Sequence, residues 1–207
     1  MTMHSQDVPA LDLVPSDITI KQELNHSEAS SIYKAELFGK TIVLKLGTLK
    51  KGRDLNRFRC ELKAYENLHK FGVCNRGFVP TIYGYVDRLD PFAFRPPLQH
   101  FSKDQLRPRA ILLENLLYAE SLNCVNYSQD LVRCAIQGLQ EIHNAFIHHR
   151  DIYPKNIIVS GGKIIRIDFD VAITFGNMSP HEKAYCEYEI ELVKSFGKLL
   201  ARPFSFL

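Results

Sequence analysis

Asp151, Asn156 and Asp168 are the residues of this chain whose types and spacing suit a chemical task. The run His148-His149-Arg150-Asp151-Ile152-Tyr153-Pro154-Lys155-Asn156 sets an acid and an amide at a fixed offset, directly ahead of the apolar Ile157-Ile158-Val159. A second apolar stretch, Ile164-Ile165-Arg166-Ile167, ends on Asp168-Phe169-Asp170. An Asp and an Asn on a loop entering one strand, with a second Asp closing the next, fit Mg²⁺–phosphate chemistry. Mg²⁺ is usually held by one or two carboxylates, waters and the substrate's own phosphates. The competing interpretation is a turn-rich hairpin with solvated acids, which the joint spacing disfavours.

The rest of the chain must supply the elements that position these groups. Ile18–Leu24 alternates apolar and polar side chains as a half-buried strand does. Ile32–Leu37 and Thr41–Leu46 follow as two further strands joined by Phe38-Gly39-Lys40, giving an antiparallel sheet at the start of the chain. Lys45 sits among apolar neighbours in the third strand; taken alone, such a lysine more often faces solvent. Asp54–Lys70 reads as a helix whose stripe is Leu55, Phe58, Leu62, Tyr65 and His69. Glu61 and Glu66 flank that stripe on opposite sides, and periodicity does not choose between them. Lys50, Lys51, Arg53, Arg57, Arg59 and Lys63 make this segment basic, either as a solvated face or as a site for a polyanion such as RNA.

Phe78–Val86 and Ala110–Glu114 are two more strands, separated by the long, proline-bearing segment 87–109. A connection of that length inside a compact domain is functional or disordered; a protein partner is one use for it. Ser128 caps a helix to about Asn144, with Val132, Ile136, Leu139, Ile142 and His143 on its buried side. Ser179, Pro180 and Glu182 mark a last helix start, with Tyr185, Tyr188, Leu192, Phe196 and Leu199 on its apolar face.

The 207 residues, 45% hydrophobic and 24% charged, are enough for one substantial core or two small lobes sharing a cleft. A net charge of +3 says little about partners. Five cysteines without a C-x-x-C pair read as reduced, mostly buried thiols of an intracellular protein. Residues 1–16 read as a loosely held leader without an apolar signal core, and no stretch reaches bilayer-spanning length. The expectation is a cytoplasmic or nuclear protein with no membrane partner.

Together these segments resemble the protein-kinase-like superfamily. His149-Arg150-Asp151 through Asn156 matches H-R-D-x-x-x-x-N, Asp168-Phe169-Asp170 stands where D-F-G would, and Val43-Leu44-Lys45 resembles the V-A-I-K strand. Phe58, Glu61, Ala64, Tyr65 and Leu68 match the F-x-x-E-x-x-A-Y-x-x-L helix of fungal and bacterial kinase-like proteins. The resemblance implies an α+β, bilobal fold: an antiparallel-sheet N-lobe over 17–116 with an insertion at 87–109, and a minimal helical C-lobe over 117–207. It implies ATP and Mg²⁺ as cofactors. Asp151 would orient the attacking hydroxyl or accept its proton; Asn156 and Asp168 would hold the metal; Lys45 paired with Glu61 would position the phosphates. Asp170, in place of the Gly of D-F-G, either adds a third carboxylate near the metal or caps the following turn. Leu113 would be the gatekeeper, and the backbone of Glu114 and Leu116 would face adenine.

Several departures qualify that picture. The loop glycines fall at Asn25, Ser27 and Ser30, so only Ser27 and Ser30 are left to approach phosphate. Tyr153 stands where Ser/Thr kinases carry Lys, no A-P-E motif is present, and the segment from Asp170 to Ser179 is short. A short C-lobe of this type resembles the small atypical kinases, the RIO-like group and the kinase of the KEOPS tRNA-modification complex. An atypical Mg·ATP phosphotransferase or ATPase is the leading expectation. The alternatives are a kinase fold redirected to another reaction, such as tRNA-dependent aminoacyl transfer with RNA on the basic helix, and a pseudokinase scaffold.

Overall fold

A computed structural model describes residues 7–27, 30–47 and 56–201. The chain is α+β. Strands β1 (Ile18–His26), β2 (Ser30–Leu37), β3 (Lys40–Gly47), β4 (Ile82–Val86) and β5 (Arg109–Glu114) form one antiparallel sheet in the order β1-β2-β3-β5-β4. Helix α1 (Arg57–Lys70) lies between β3 and β4 in sequence. The remainder holds the short strands β6 (Glu120–Ser121) and β7 (Ile147–His148), the hairpin β8 (Ile157–Ser160) and β9 (Lys163–Arg166), the short strand β10 (Ile173–Thr174), and helices α2 (Gln129–Asn144) and α3 (Pro180–Leu200). β6 extends the hairpin as β6-β8-β9, and β10 pairs with β7. Among the described residues, no helix is long and apolar enough to cross a membrane.

The pleat of β3 sends Ile42, Leu44 and Leu46 into one core and Val43 toward another. The first core lies between the sheet and the segment 87–109, whose Leu89, Phe94, Leu98 and Phe101 are all buried. That long connection is therefore a packed cover on the sheet rather than a disordered loop. Burial of its aromatic and leucine side chains offsets the entropy of ordering it. The second core joins the other sheet face to α1, where Ala64, Tyr65 and Leu68 are fully buried. The third joins α2, α3 and the β8–β9 hairpin.

Four expectations need correction. The leader is not loose over residues 8–13: Val8 and Leu13 are buried, and Leu11 N and Pro9 O bond the backbone of Tyr85 at 2.8 and 3.0 Å. Gly84 permits that approach, since a Cβ there would stand 2.7 Å from Leu11 Cδ1 and 2.9 Å from Pro9 O. The strand expected from Phe78 begins at Ile82. The described cysteines are all free, yet of the five only Cys74 and Cys186 are buried. On α3 the buried residues are Cys186, Glu189, Val193 and Gly197, one residue on from the expected stripe; of that stripe Leu192 and Phe196 pack half-buried against the third core, while Tyr185, Tyr188 and Leu199 are exposed. Gly197 fixes that rotation by letting α2 come close, for a Cβ there would stand 2.7 Å from Val132 Cγ1. The helix starts follow the sequence signals. Ser128 accepts from Leu131 N, and Ser179 with Glu182 makes a capping box.

Candidate functional site

A cleft of about 540 Å³ opens between the five-stranded sheet with α1 on one side and the β8–β9 hairpin with its flanking loops on the other. Its walls include Ser27, Ser30, Lys45, Glu61, Leu113, Glu114 and Leu116, and opposite them Lys155, Asn156, Asp168 and Asp170. The structure thus brings to one cavity nearly every residue expected to bind nucleotide or metal.

Lys45 is the junction. Its Nζ lies 2.7 Å from Glu61 Oε2 on α1 and 2.7 Å from Asp168 Oδ1 in the loop after β9. Three elements distant in sequence meet at one ammonium that is only 10% exposed. Burial alone would push the Lys45 ammonium down, but the two carboxylates outweigh it and hold it above its ordinary value. The same competition runs the other way at the acids. Burial prevails at Glu61 and raises it, whereas at Asp168 burial is outweighed by Lys45 and the carboxyl lies below its ordinary value. Glu61 rather than Glu66 is the inward acid because it shares the buried face with Phe58, Ala64, Tyr65 and Leu68, spaced three and four apart; Glu66 is exposed.

Below the cleft, the loop carrying Asp151 is tightly braced. His149 is fully buried. Its Nε2–H donates to Ile167 O at 3.1 Å and its Nδ1 accepts from Asp151 N at 3.3 Å. Burial, aided by the nearby Arg166, pushes its imidazole down to about 3, so the ring is neutral at neutral pH. Asn156 Nδ2 donates to Asp151 O at 2.9 Å, and Lys155 Nζ reaches Asp151 Oδ2 at 3.0 Å. Asp151 is not itself among the cleft-lining residues and connects to them through Lys155 and Asn156. Arg150 (φ 70°) and Asp168 (φ 66°) both adopt left-handed backbone, a strain that clusters at functional sites. Phe169 is fully buried and packs on Tyr65 of α1 at 5.4 Å and on His149 at 4.6 Å between ring centroids.

The donor set suits Mg²⁺ bound through phosphate. Among the described residues, Asn156 Oδ1 and Asp168 Oδ2 face no protein partner, because the contacts run through Asn156 Nδ2 and Asp168 Oδ1. Among the described residues, no group of three or more His, Cys, Asp or Glu side chains forms an all-protein metal cage there, and Mg²⁺ does not require one when substrate oxygens complete its shell. Asp170 is placed differently from the other two candidate ligands: its Oδ2 lies 2.6 Å from Arg57 Nη1.

The remaining sequence candidates fall as follows. Ser27 N and Oγ donate to Ser30 O at 2.9 and 3.2 Å, and Ser30 N donates to Ser27 Oγ at 3.1 Å, closing the β1–β2 tip on itself. Glu114 N donates to Thr81 O, while its carboxylate accepts from Thr81 N and Oγ1, both at 3.0 Å, which turns the side chain toward Thr81. Lys50, Lys51 and Arg53 lie outside the described residues. Arg57 is engaged with Asp170, which leaves Arg59 and Lys63 exposed on α1.

Sequence reasoning missed two buried charges. Glu189 on α3, 3% exposed, accepts from Arg150 N at 2.6 Å, His149 N at 3.3 Å and His143 Nε2 at 2.9 Å, with His148 Nε2 3.3 Å away. Arg166 is 2% exposed, with Nη1 donating to Ile152 O at 3.4 Å and Nη2 unpartnered; burial pushes its guanidinium down to about 10. The signal for Arg166 was its place inside Ile164-Ile165-Arg166-Ile167. For Glu189 the clue was a glutamate in register with Cys186 and Val193.

No protein-family model matches the chain. It is 31% identical over 123 residues to the protein named serine/threonine-protein kinases drp72 of Corynebacterium efficiens, covering 57% of this chain and 21% of that protein. It is also 31% identical over 78 residues to SNF1-activating kinase 1 of Saccharomyces cerevisiae, covering 37% of this chain and 7% of that protein. The chain thus spans about a fifth or less of the length of these relatives. The matches support a kinase-like relationship for this chain and the general class of a transferase.

Proposed function

We propose that this chain is an atypical, protein-kinase-like phosphotransferase that binds Mg·ATP in the cleft and passes the γ-phosphoryl group to a hydroxyl acceptor. The sheet with α1 acts as one lobe and the helical remainder as a second, smaller one. One observation carries the reading. Lys45, Glu61 and Asp168 meet at 2.7 Å contacts from three separate elements, inside the same cleft that Asn156 lines.

In this mechanism Lys45, kept charged and aimed by Glu61, pairs the α/β-phosphates. Asn156 and Asp168 would hold Mg²⁺, which would supply positive charge to offset the charge that develops on transfer. The acceptor oxygen forms a bond to the γ-phosphorus as the bond from that phosphorus to the β–γ bridging oxygen breaks. ADP leaves, and the acceptor's hydroxyl proton passes to the Asp151 carboxylate. Lys155, 3.0 Å from Asp151, places a cation beside the transferring group.

Calorimetric titration with ATP in the presence and absence of Mg²⁺ tests the proposal. Wild type should bind Mg·ATP. Asp168→Asn should weaken binding and lower ATP turnover by roughly 10²-fold or more, as loss of a group stabilising transition-state charge does. A wild-type chain that binds no Mg·ATP, or an Asp168→Asn chain that turns it over at the wild-type rate, sinks the reading.

A further inference from the structure

Helix α1 is held by unlike means along its length. Toward its C-terminal end Ala64, Tyr65 and Leu68 are fully buried, and Asn67 Nδ2 donates to Ala145 O at 3.0 Å. Toward its start Phe58 is the buried apolar side chain, and the polar ties to the cleft are two ion pairs: Glu61 with Lys45, and Arg57 with Asp170. Arg57 and Glu61 stand one helical turn apart and so face the same way.

Arg57 is also a costly residue for its position. It is the first residue of α1, where the exposed N–H groups and the helix dipole disfavour a cation, and the first turn carries no acid. Asp170 supplies the missing negative charge from outside the helix, 2.6 Å from Arg57 Nη1 and with its own side chain only 10% exposed. Without Arg57, Asp170 would be a largely buried carboxylate with no other described ion-pair partner, and such a charge is expensive to leave uncompensated. Three successive residues then meet α1 at three points: Asp168 through Lys45 and Glu61, Phe169 through Tyr65, and Asp170 through Arg57.

We propose that the Arg57–Asp170 pair is a latch that fixes the start of α1 against the loop after β9, holding Glu61 on Lys45, and that Asp170 serves this latch rather than a metal ion. Its catalytic consequence rests on the phosphotransfer reading, but the latch itself belongs to the chain without nucleotide.

Amide hydrogen exchange on the full chain therefore tests it without reference to activity. Arg57→Ala and Asp170→Asn should each speed exchange over residues 57–63 by about tenfold, as expected when a local opening becomes easier. The residues after Ala64 should change little. Arg57→Lys, or the exchanged pair Arg57→Asp with Asp170→Arg, should restore most of the protection, which a fold defect would not do. Mn²⁺ titration with ATP supplies the second readout: Asp168→Asn should weaken metal binding and Asp170→Asn should not. Unchanged exchange in Arg57→Ala overturns the latch, and so does Asp170→Asn weakening Mn²⁺ as far as Asp168→Asn. If wild type binds no Mg·ATP at all, the phosphotransfer reading falls while the exchange data still decide the latch.

Discussion

Glu61 and Glu189 are buried to the same depth, each 3% exposed, yet their surroundings treat the charge in opposite ways. Glu61 faces one ammonium, brought across from β3 and shared with Asp168. Burial prevails there and its carboxyl is raised. Glu189 collects two backbone N–H groups and a histidine N–H, with a second histidine beside it. Burial again opposes the charge, but the His143 hydrogen bond and its neighbours outweigh it, and the carboxyl lies below its ordinary value. A carboxylate answered by several fixed donors is a brace. One answered by a single side chain across a cleft is a contact that the position of α1 makes or breaks.

The largest expected effect separates the two directly. Glu189→Ala leaves the N–H groups of His149 and Arg150 and the ring of His143 without an acceptor, and should destabilise the chain by about 3 kcal/mol or more. Glu61→Ala leaves Lys45 still paired with Asp168, so its cost should be nearer 1 kcal/mol while nucleotide binding suffers most. Urea unfolding of both variants, alongside ATP titration, checks the contrast. Equal stability losses would abolish it.

The brace should also show in acid. His149 is held down to about 3 by burial, and burial lowers His148 as well. The unfolded chain takes up these protons below about 6.5 and the folded chain resists them, so stability is present above that value and declines as pH falls toward 3. Glu189, depressed in the fold, adds a further loss as pH falls through 4.5, its ordinary value. Urea midpoints measured from pH 7 to pH 4 should fall steadily, and His149→Gln should flatten the upper part of that curve. The same slope in wild type and variant would mean His149 is not the group titrating.

How far the sequence carried depended on whether a residue's neighbours were local. Capping at Ser128 and Ser179 was legible because an N-cap and its partners lie within one turn. Asp151, Asn156 and Asp168 were legible as a set because a fixed offset holds them. The choice between Glu61 and Glu66 needed the resemblance, since both flank the same stripe. The α3 stripe holds at Leu192 and Phe196 and fails at Tyr185, Tyr188 and Leu199, because tyrosine and leucine weigh as apolar by type. Its rotation is set by the close approach at Gly197 and by the donors that Glu189 must meet, both long-range facts. For the segment 87–109 composition leaves the choice between a functional and a disordered connection open, and only the sheet face above Leu44 and Leu46 shows where Phe94, Leu98 and Phe101 go.

That misreading of α3 gives a middle-sized test. Val193→Ala removes packing from the third core and should cost about 2 kcal/mol, while Tyr188→Ala, on the 63% exposed side, should change stability by less than about 0.5 kcal/mol. Thermal unfolding of the two variants decides it, and the reverse ranking would place Glu189 on the outside, where it could brace nothing.

The smallest stability effect is expected at Lys155. Its pair with Asp151 at 3.0 Å resembles the Lys45 contacts in length, but the Lys155 side chain is 65% exposed where that of Lys45 is 10%. Water screens an exposed pair and the long side chain loses freedom to make it, so Lys155→Ala should shift stability by under about 1 kcal/mol. Its hydrogen bond to Asp151 holds the ammonium above its ordinary value, so Lys155 stays charged beside the residue proposed to take the acceptor's proton. Lys155→Ala should therefore lower kcat by roughly tenfold with little change in KM for ATP, while Lys155→Arg keeps most of the rate. A large stability loss with unchanged kcat would make Lys155 a second brace, and the division between fixed supports below the cleft and working contacts within it would no longer hold.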